Sequence, residues 1–174
     1  MKLLHIKLNY STMLDSGKKE NNNIVMIDPS VFERYSLFDG LEKEQIDSIL
    51  PLMEQEVFDS GAEIINEGNQ NCKIYFILEG RVVATKGKIT LEEMNEGSFF
   101  GEMEVLDINP SAATVKALTP TTVLVLSIDA LGEIYESDLK TYSFIIMNLA
   151  RDISRKLRRL NVIVSEESPP MDWS

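Results

Sequence analysis

A chain of 174 residues, 44% hydrophobic and 26% charged, has the composition of an ordinary soluble globular protein and length for one sizeable core. Its net charge of −11 argues against nucleic-acid affinity of the whole molecule, which needs a basic face. One cysteine, Cys72, excludes an internal disulfide and a four-thiolate iron–sulfur site, and one histidine, His5, leaves too few ligands for a metal-dependent jelly-roll enzyme or a haem sensor.

In chain order, Leu4, Ile6, Leu8 and Tyr10 alternate with His5, Lys7 and Asn9, the period-two pattern of a short strand with His5 at a polar edge position. Lys7 and Asn9 break the apolar run, and no small-residue cleavage site follows, so this is not a signal peptide. The polar stretch "DSGKKENNN" reads as a linker, which makes residues 1–26 an extension ahead of a folded domain at 27–164. Asp28-Pro29 has the form of a helix cap with proline at the first helical position, and Val31, Phe32, Tyr35 and Leu37-Phe38 supply apolar contacts. "GLEKEQIDSILPLM" predicts a second helix with Leu41, Ile46, Ile49 and Leu50 on one side.

After Met53 the pattern changes to short runs rich in β-branched and aromatic residues: "QEVF", "AEIIN", "KIYFIL", "RVVATK", "ITLEEM", "ATVKAL" and "TTVLVLSI". Gly61, Gly68, Gly80, Gly87 and Gly97 fall between them at turn-like intervals, which predicts an antiparallel barrel or jelly roll. Cys72, between two such runs, is expected to be a small half-buried residue. From Ser137 the pattern is helical, with Tyr142, Ile146, Leu149, Ile153, Leu157, Leu160 and Val164 forming a long amphipathic stripe. Spacing close to a coiled-coil seam predicts a homodimer through this helix, with Lys156 and Leu157 blurring the register. Residues 151–160 carry five basic side chains and one acid, a local +4; they read as a solvated helix face, an acidic-partner surface or a source of ligand contacts. The acidic stretch 165–174 reads as a flexible tail despite Trp173, and no segment reaches the ~20 apolar residues of a membrane span. The fold class is thus α+β, mainly β: an antiparallel double-stranded β-helix flanked by N-terminal helices and a long C-terminal helix.

This order of elements, together with "SLFDGLEKEQIDSIL", "GAEIINEGNQNCKIYFILEGRVV", "FGEMEVLDINPSAATV" and "RDISRKLRRLN", resembles the cyclic-nucleotide-binding domain family, including the effector domains of catabolite-activator-type bacterial regulators. The resemblance covers Asp28 to Asn161, and its most specific part is the stretch similar to the family's phosphate-binding cassette. It implies a ligand site at Phe100, Gly101, Glu102, Met103, Glu104, Ser111, Ala112, Ala113 and Thr114. In the family's pattern Gly101 admits close backbone approach and Glu102 accepts a hydrogen bond from a ribose hydroxyl. The amides of Ala112 and Ala113 face the ligand, and the Thr114 hydroxyl reaches base or phosphate.

Two positions depart from the pattern. Ser111 stands where the family places the arginine that neutralises the cyclic phosphate, and Glu104 stands where it places alanine or glycine. Lys116 and Arg81 lie too far along the chain to substitute, whereas Arg151 or Arg155 from the long helix, which lids the pocket in the family, are candidates to reach in. The resemblance implies a non-catalytic, cytoplasmic regulatory module with weak or altered cyclic-nucleotide binding and no cofactor. Two other readings stay open: a ligand-independent dimeric scaffold, and the effector part of a transcription regulator, for which the thirteen acidic, proline-containing residues after Asn161 offer no DNA-reading helix.

Overall fold

The runs "KIYFIL" and "TTVLVLSI" lack the apolar–polar alternation of a strand with one wet face, which marks them as strands buried on both sides. A computed structural model, describing residues 4–6, 8–9, 25–27, 32 and 35–167, places them at the centre of the molecule. Its strands are β1 (Leu4–Ile6), β2 (Leu8–Asn9), β3 (Val25–Ile27), β4 (Glu54–Phe58), β5 (Glu63–Ile65), β6 (Lys73–Glu79), β7 (Arg81–Lys86), β8 (Ile89–Asn95), β9 (Phe99–Phe100), β10 (Thr114–Ala117) and β11 (Thr121–Ser127). Its α-helices are α1 (Lys43–Ile49), α2 (Glu102–Asp107), α3 (Ile128–Ser137) and α4 (Leu139–Glu167), and short 3-10 turns occupy Ser36–Phe38 and Leu50–Leu52.

Two sheets face each other as a jelly roll. One has the order β5-β10-β7-β8 and the other β2-β4-β11-β6-β9, while β1 and β3 form a separate antiparallel pair. Within the second sheet β11 pairs antiparallel with both β4 and β6, and β2 lies parallel to β4. Alternation along the central strands then divides the core in two. Tyr75, Ile77, Val123 and Val125 point into the barrel with Ile65, Val82, Met94, Phe100 and Val115. Ile74, Phe76, Leu124 and Leu126 point the other way, onto Phe32, Leu37, Phe38, Ile46, Ile49, Leu131, Ile134, Ile145 and Leu149. The β11–β6 layer is therefore sandwiched between a barrel core and a helical core.

The inner half of α4 belongs to that helical core. Ile145 and Leu149 are fully buried, and Asn148 Nδ2 donates to the carbonyls of Leu37 at 3.0 Å and Asp39 at 2.8 Å. Gln45 Nε2 donates to Thr141 Oγ1 at 2.7 Å, joining α1 to the first turn of α4. Farther out the helix has little cover: Leu157 is 57% exposed and Leu160 48%. None of the helices among the described residues is long and apolar enough to cross a membrane.

The structure differs from sequence expectation in several places. Residues 128–137 form α3, whereas the sequence reading ended a strand run at Ile128 and began a helix only at Ser137. Ser127 Oγ accepts from the Ala130 amide at 3.1 Å and caps this helix directly at the end of β11, so no turn residue announces it. Gly132 in its middle further weakens the local helical signal. Cys72 is exposed rather than half-buried. Residues 165–167, expected to begin a flexible tail, instead continue α4 to Glu167, since no proline or glycine interrupts the helix before Pro169. The expected helix opening at Asp28-Pro29, the linker and residues 168–174 lie outside the described residues.

Asp138 separates α3 from α4. Its carboxylate accepts from the Thr141 hydroxyl and from the amides of Thr141 at 3.2 Å and Lys140 at 3.0 Å. These bonds, that from the Thr141 side chain first, hold its pKa below the ordinary aspartate value. A depressed folded-state pKa contributes stability above the unfolded value of about 3.9 that is lost as pH falls through the folded one. Asp138→Ala should lower the thermal midpoint at neutral pH, and its gap from the parent protein should close as the pH falls through that range. A gap that persists unchanged into strong acid would show that the carboxylate does not act as this cap.

Candidate functional site

The cassette starts at β9, and the two residues of that strand face opposite cores. Phe99 enters the helical core, while Phe100 enters the barrel and stacks on Tyr75 with ring centroids 5.0 Å apart and planes 8° from parallel. This fixes where the next residue can lie. Gly101 has φ 81, and a Cβ there would stand 2.6 Å from the Lys73 carbonyl oxygen and 2.9 Å from Asn71 Nδ2. Glycine is required by both the left-handed backbone and the close approach.

Helix α2 follows as a single short helix of six residues with Glu102 and Glu104 in its first turn. The positive end of its backbone thus meets carboxylates of its own sequence before any ligand. Glu102 is 3% exposed and carries an internal partner: its Oε1 accepts from Lys156 Nζ at 2.8 Å. The same ammonium lies 3.1 Å from Asp152 Oδ2 and 5.6 Å from the centroid of the Phe99 ring. Burial disfavours the Lys156 charge, but attraction and hydrogen bonding from Glu102, supported by Asp152, outweigh it and hold the lysine pKa above its ordinary value.

Ser111 lies at the other end of the cassette. Its backbone is committed within the protein, since its amide donates to the Asn69 carbonyl at 2.9 Å and its carbonyl accepts from the Gly68 amide at 2.8 Å. The residue is 3% exposed, and its Oγ is buried without a hydrogen-bond partner. Thr114 Oγ1 accepts from the Glu67 amide at 3.1 Å, so this hydroxyl too serves the neighbouring turn. Ala112 is exposed, Ala113 half-buried and Met103 exposed.

Beside Ser111 is a cleft of about 140 Å³ lined by Ile64, Ile65, Asn66, Asn69, Gln70, Asn71, Tyr75 and Ser111. It is smaller than the roughly 300 Å³ at which small-molecule pockets begin. Amides and hydroxyls line it, and none of its lining side chains is cationic. The surrounding field is negative: burial first, then the charges of Glu56 and Glu104, push the Tyr75 hydroxyl well above its ordinary pKa. Glu104 Oε2 is itself buried without a hydrogen-bond partner.

The two arginines considered as lid residues have partners on their own helix. Arg151 Nη1 donates to Asn148 Oδ1 at 3.0 Å, and Arg155 Nη2 pairs with Asp152 Oδ1 at 3.2 Å. Lys156 of α4 reaches the cassette, whereas the sequence reading named it individually only as a flaw in an apolar stripe and otherwise counted it among the basic residues of 151–160. Its signal was that flaw: a lysine on the inward side of a helix, one turn after Asp152, needs an acidic partner across the interface. Gly101 packs against the Lys73 carbonyl, the Glu102 carboxylate is engaged by Lys156, and position 111 has a neutral hydroxyl rather than a cation.

A family model described as the cyclic nucleotide-binding domain matches residues 55–138. The chain is 32% identical over 108 residues to a cAMP-dependent protein kinase regulatory subunit of Yarrowia lipolytica, a match covering 60% of this chain and 29% of that protein. It is 27% identical over 131 residues to the cyclic AMP receptor protein of Thermus thermophilus, covering 72% of this chain and 59% of that one. The chain thus spans less than two thirds of either relative. A solved cyclic nucleotide-binding domain from Methylobacillus flagellatus has the same fold, with TM-score 0.73 at 22% identity over 82% of this chain and 84% of that one.

Gly101→Ala should destabilise the protein by about 2 kcal/mol or more in urea unfolding, from left-handed backbone strain plus overpacking against Lys73. An unchanged unfolding midpoint would mean that the loop at Gly101 has room to move aside.

Proposed function

Residues 55–138 belong to the cyclic nucleotide-binding domain family, and from that premise we propose that this chain is a cytoplasmic, non-catalytic regulatory module whose binding of ordinary cyclic mononucleotides is weak. The observation that carries the reading is Ser111, a buried hydroxyl without a partner at the phosphate end of a cassette whose cleft has no cationic lining. A unit charge about 5 Å from a phosphate, at an effective dielectric near 20, contributes roughly 3 kcal/mol, on the order of a hundredfold in affinity. Glu104 acts in the same direction, adding negative charge where the cyclic phosphate would have to sit. The ligand site consists of Phe100 to Glu104 and Ser111 to Thr114, with Gly101 giving backbone access and Glu102 receiving a ligand hydroxyl.

Ser111→Arg should tighten cyclic AMP or cyclic GMP binding about tenfold or more in calorimetric titration, the lower figure allowing for solvent screening. Micromolar binding by the parent protein would overturn the reading of weak affinity.

A second reading, a dimeric scaffold, is favoured by α4. Ile146, Ala150, Ile153, Leu157 and Leu160 are spaced four, three, four and three residues apart, as in a coiled-coil seam, and the exposure of Leu157 and Leu160 leaves its outer part uncovered in the monomer. In our reading two copies associate along this seam, whether or not a ligand is bound. Leu157→Glu should then give a monomer in analytical ultracentrifugation where the parent protein sediments as a dimer. A parent protein that stays monomeric at high concentration removes this part of the reading.

A further inference from the structure

The partly buried ammonium of Lys156 has acceptors on several sides. Besides Glu102 Oε1 at 2.8 Å and Asp152 Oδ2 at 3.1 Å, it donates to the Phe99 carbonyl at 3.4 Å. These contacts join the outer half of α4 to both the strand and the helix that open the cassette. Farther along the helix Arg159 Nη2 pairs with Glu92 Oε1 at 2.7 Å, with the arginine side chain largely exposed and that of Glu92 partly so. An exposed pair contributes little, whereas a desolvated one is costly to break. Around them Leu157, Leu160 and Val162 are exposed, so apolar packing adds little to hold this part of the helix down.

We propose that Lys156 is an internal counter-ligand: it occupies Glu102, and any molecule docking a hydroxyl on that carboxylate must displace it and so release α4 beyond Ala150 from the barrel. This rests on the reading above that Glu102 receives the ligand's hydroxyl. The competition is unequal, because an ammonium–carboxylate bond is stronger than a neutral hydroxyl–carboxylate bond. It lowers affinity independently of Ser111, and it couples the state of the cassette to the helix that carries the apolar seam. A ligand gains the site only by supplying contacts elsewhere that exceed what the lysine gives up.

The experiment uses the full chain carrying Ser111→Arg, with cyclic AMP as the probe and hydrogen exchange read over residues 150–162. Adding cyclic AMP should accelerate exchange there. The Ser111→Arg, Lys156→Gln double variant should show the fast exchange without nucleotide and bind cyclic AMP about tenfold more tightly, the scale of one charged hydrogen bond. Exchange that slows or stays constant on adding cyclic AMP, or equal or weaker affinity in the double variant, overturns the proposal. Should loss of the lysine prevent folding, the exchange of the single variant with and without nucleotide decides alone. Absence of any cyclic AMP binding by the Ser111→Arg chain sinks the reading of the cassette and the counter-ligand together, whereas binding without a change in α4 removes the counter-ligand only.

Discussion

Burial of the β11–β6 layer on both faces sets the rest of the architecture. A strand with two dry faces must find apolar partners above and below, so the chain has to supply a barrel on one side and a helical layer on the other. Strand β9 sits at the edge of this layer, and the Phe99–Phe100 pair spans it, one ring in each core. The cassette begins one residue later, so its position follows from core packing rather than from any interaction with a ligand.

The departures are electrostatic. Glu102 and Glu104 stand together at the start of α2, burial and neighbouring carboxylates keep Tyr75 neutral, and the phosphate end offers a serine. The cation recorded against the cassette comes from α4, 54 residues away along the chain, and it answers a carboxylate of the protein itself. A buried ion pair of this kind adds little net stability relative to apolar packing, because both charges must be desolvated. What it does provide is a defined position: the ammonium fits against Glu102, Asp152 and the Phe99 carbonyl in one helix register.

Strands were legible in the sequence wherever glycine separated runs of β-branched residues, and the long final helix was legible from its apolar period. What escaped was structure without local punctuation. Strand β9 has two residues, too few for any period, and α3 begins at once after β11 under a serine cap, with a glycine in its middle. The expected ligand site at Phe100–Glu104 and Ser111–Thr114 could be read from the sequence as a motif because its residues lie close together along the chain. The role of Lys156 could not, because it depends on where α4 crosses the barrel, a distance of the chain that no motif spans.

The parallel pairing of β2 with β4, Leu8 opposite Gln55 and Asn9 opposite Glu56, has a consequence for behaviour in concentrated solution. In the five-stranded sheet β4 would otherwise be an outer strand, with a row of backbone donors and acceptors open to a strand from another molecule. The opposite edge is the two-residue β9, too short to template such an addition. Residues 8 and 9 thus act as a selvedge, finishing the margin of the fabric so that it does not extend into a neighbour. Colloidal restraint is thereby assigned to a segment remote from the cassette, and the two can vary independently.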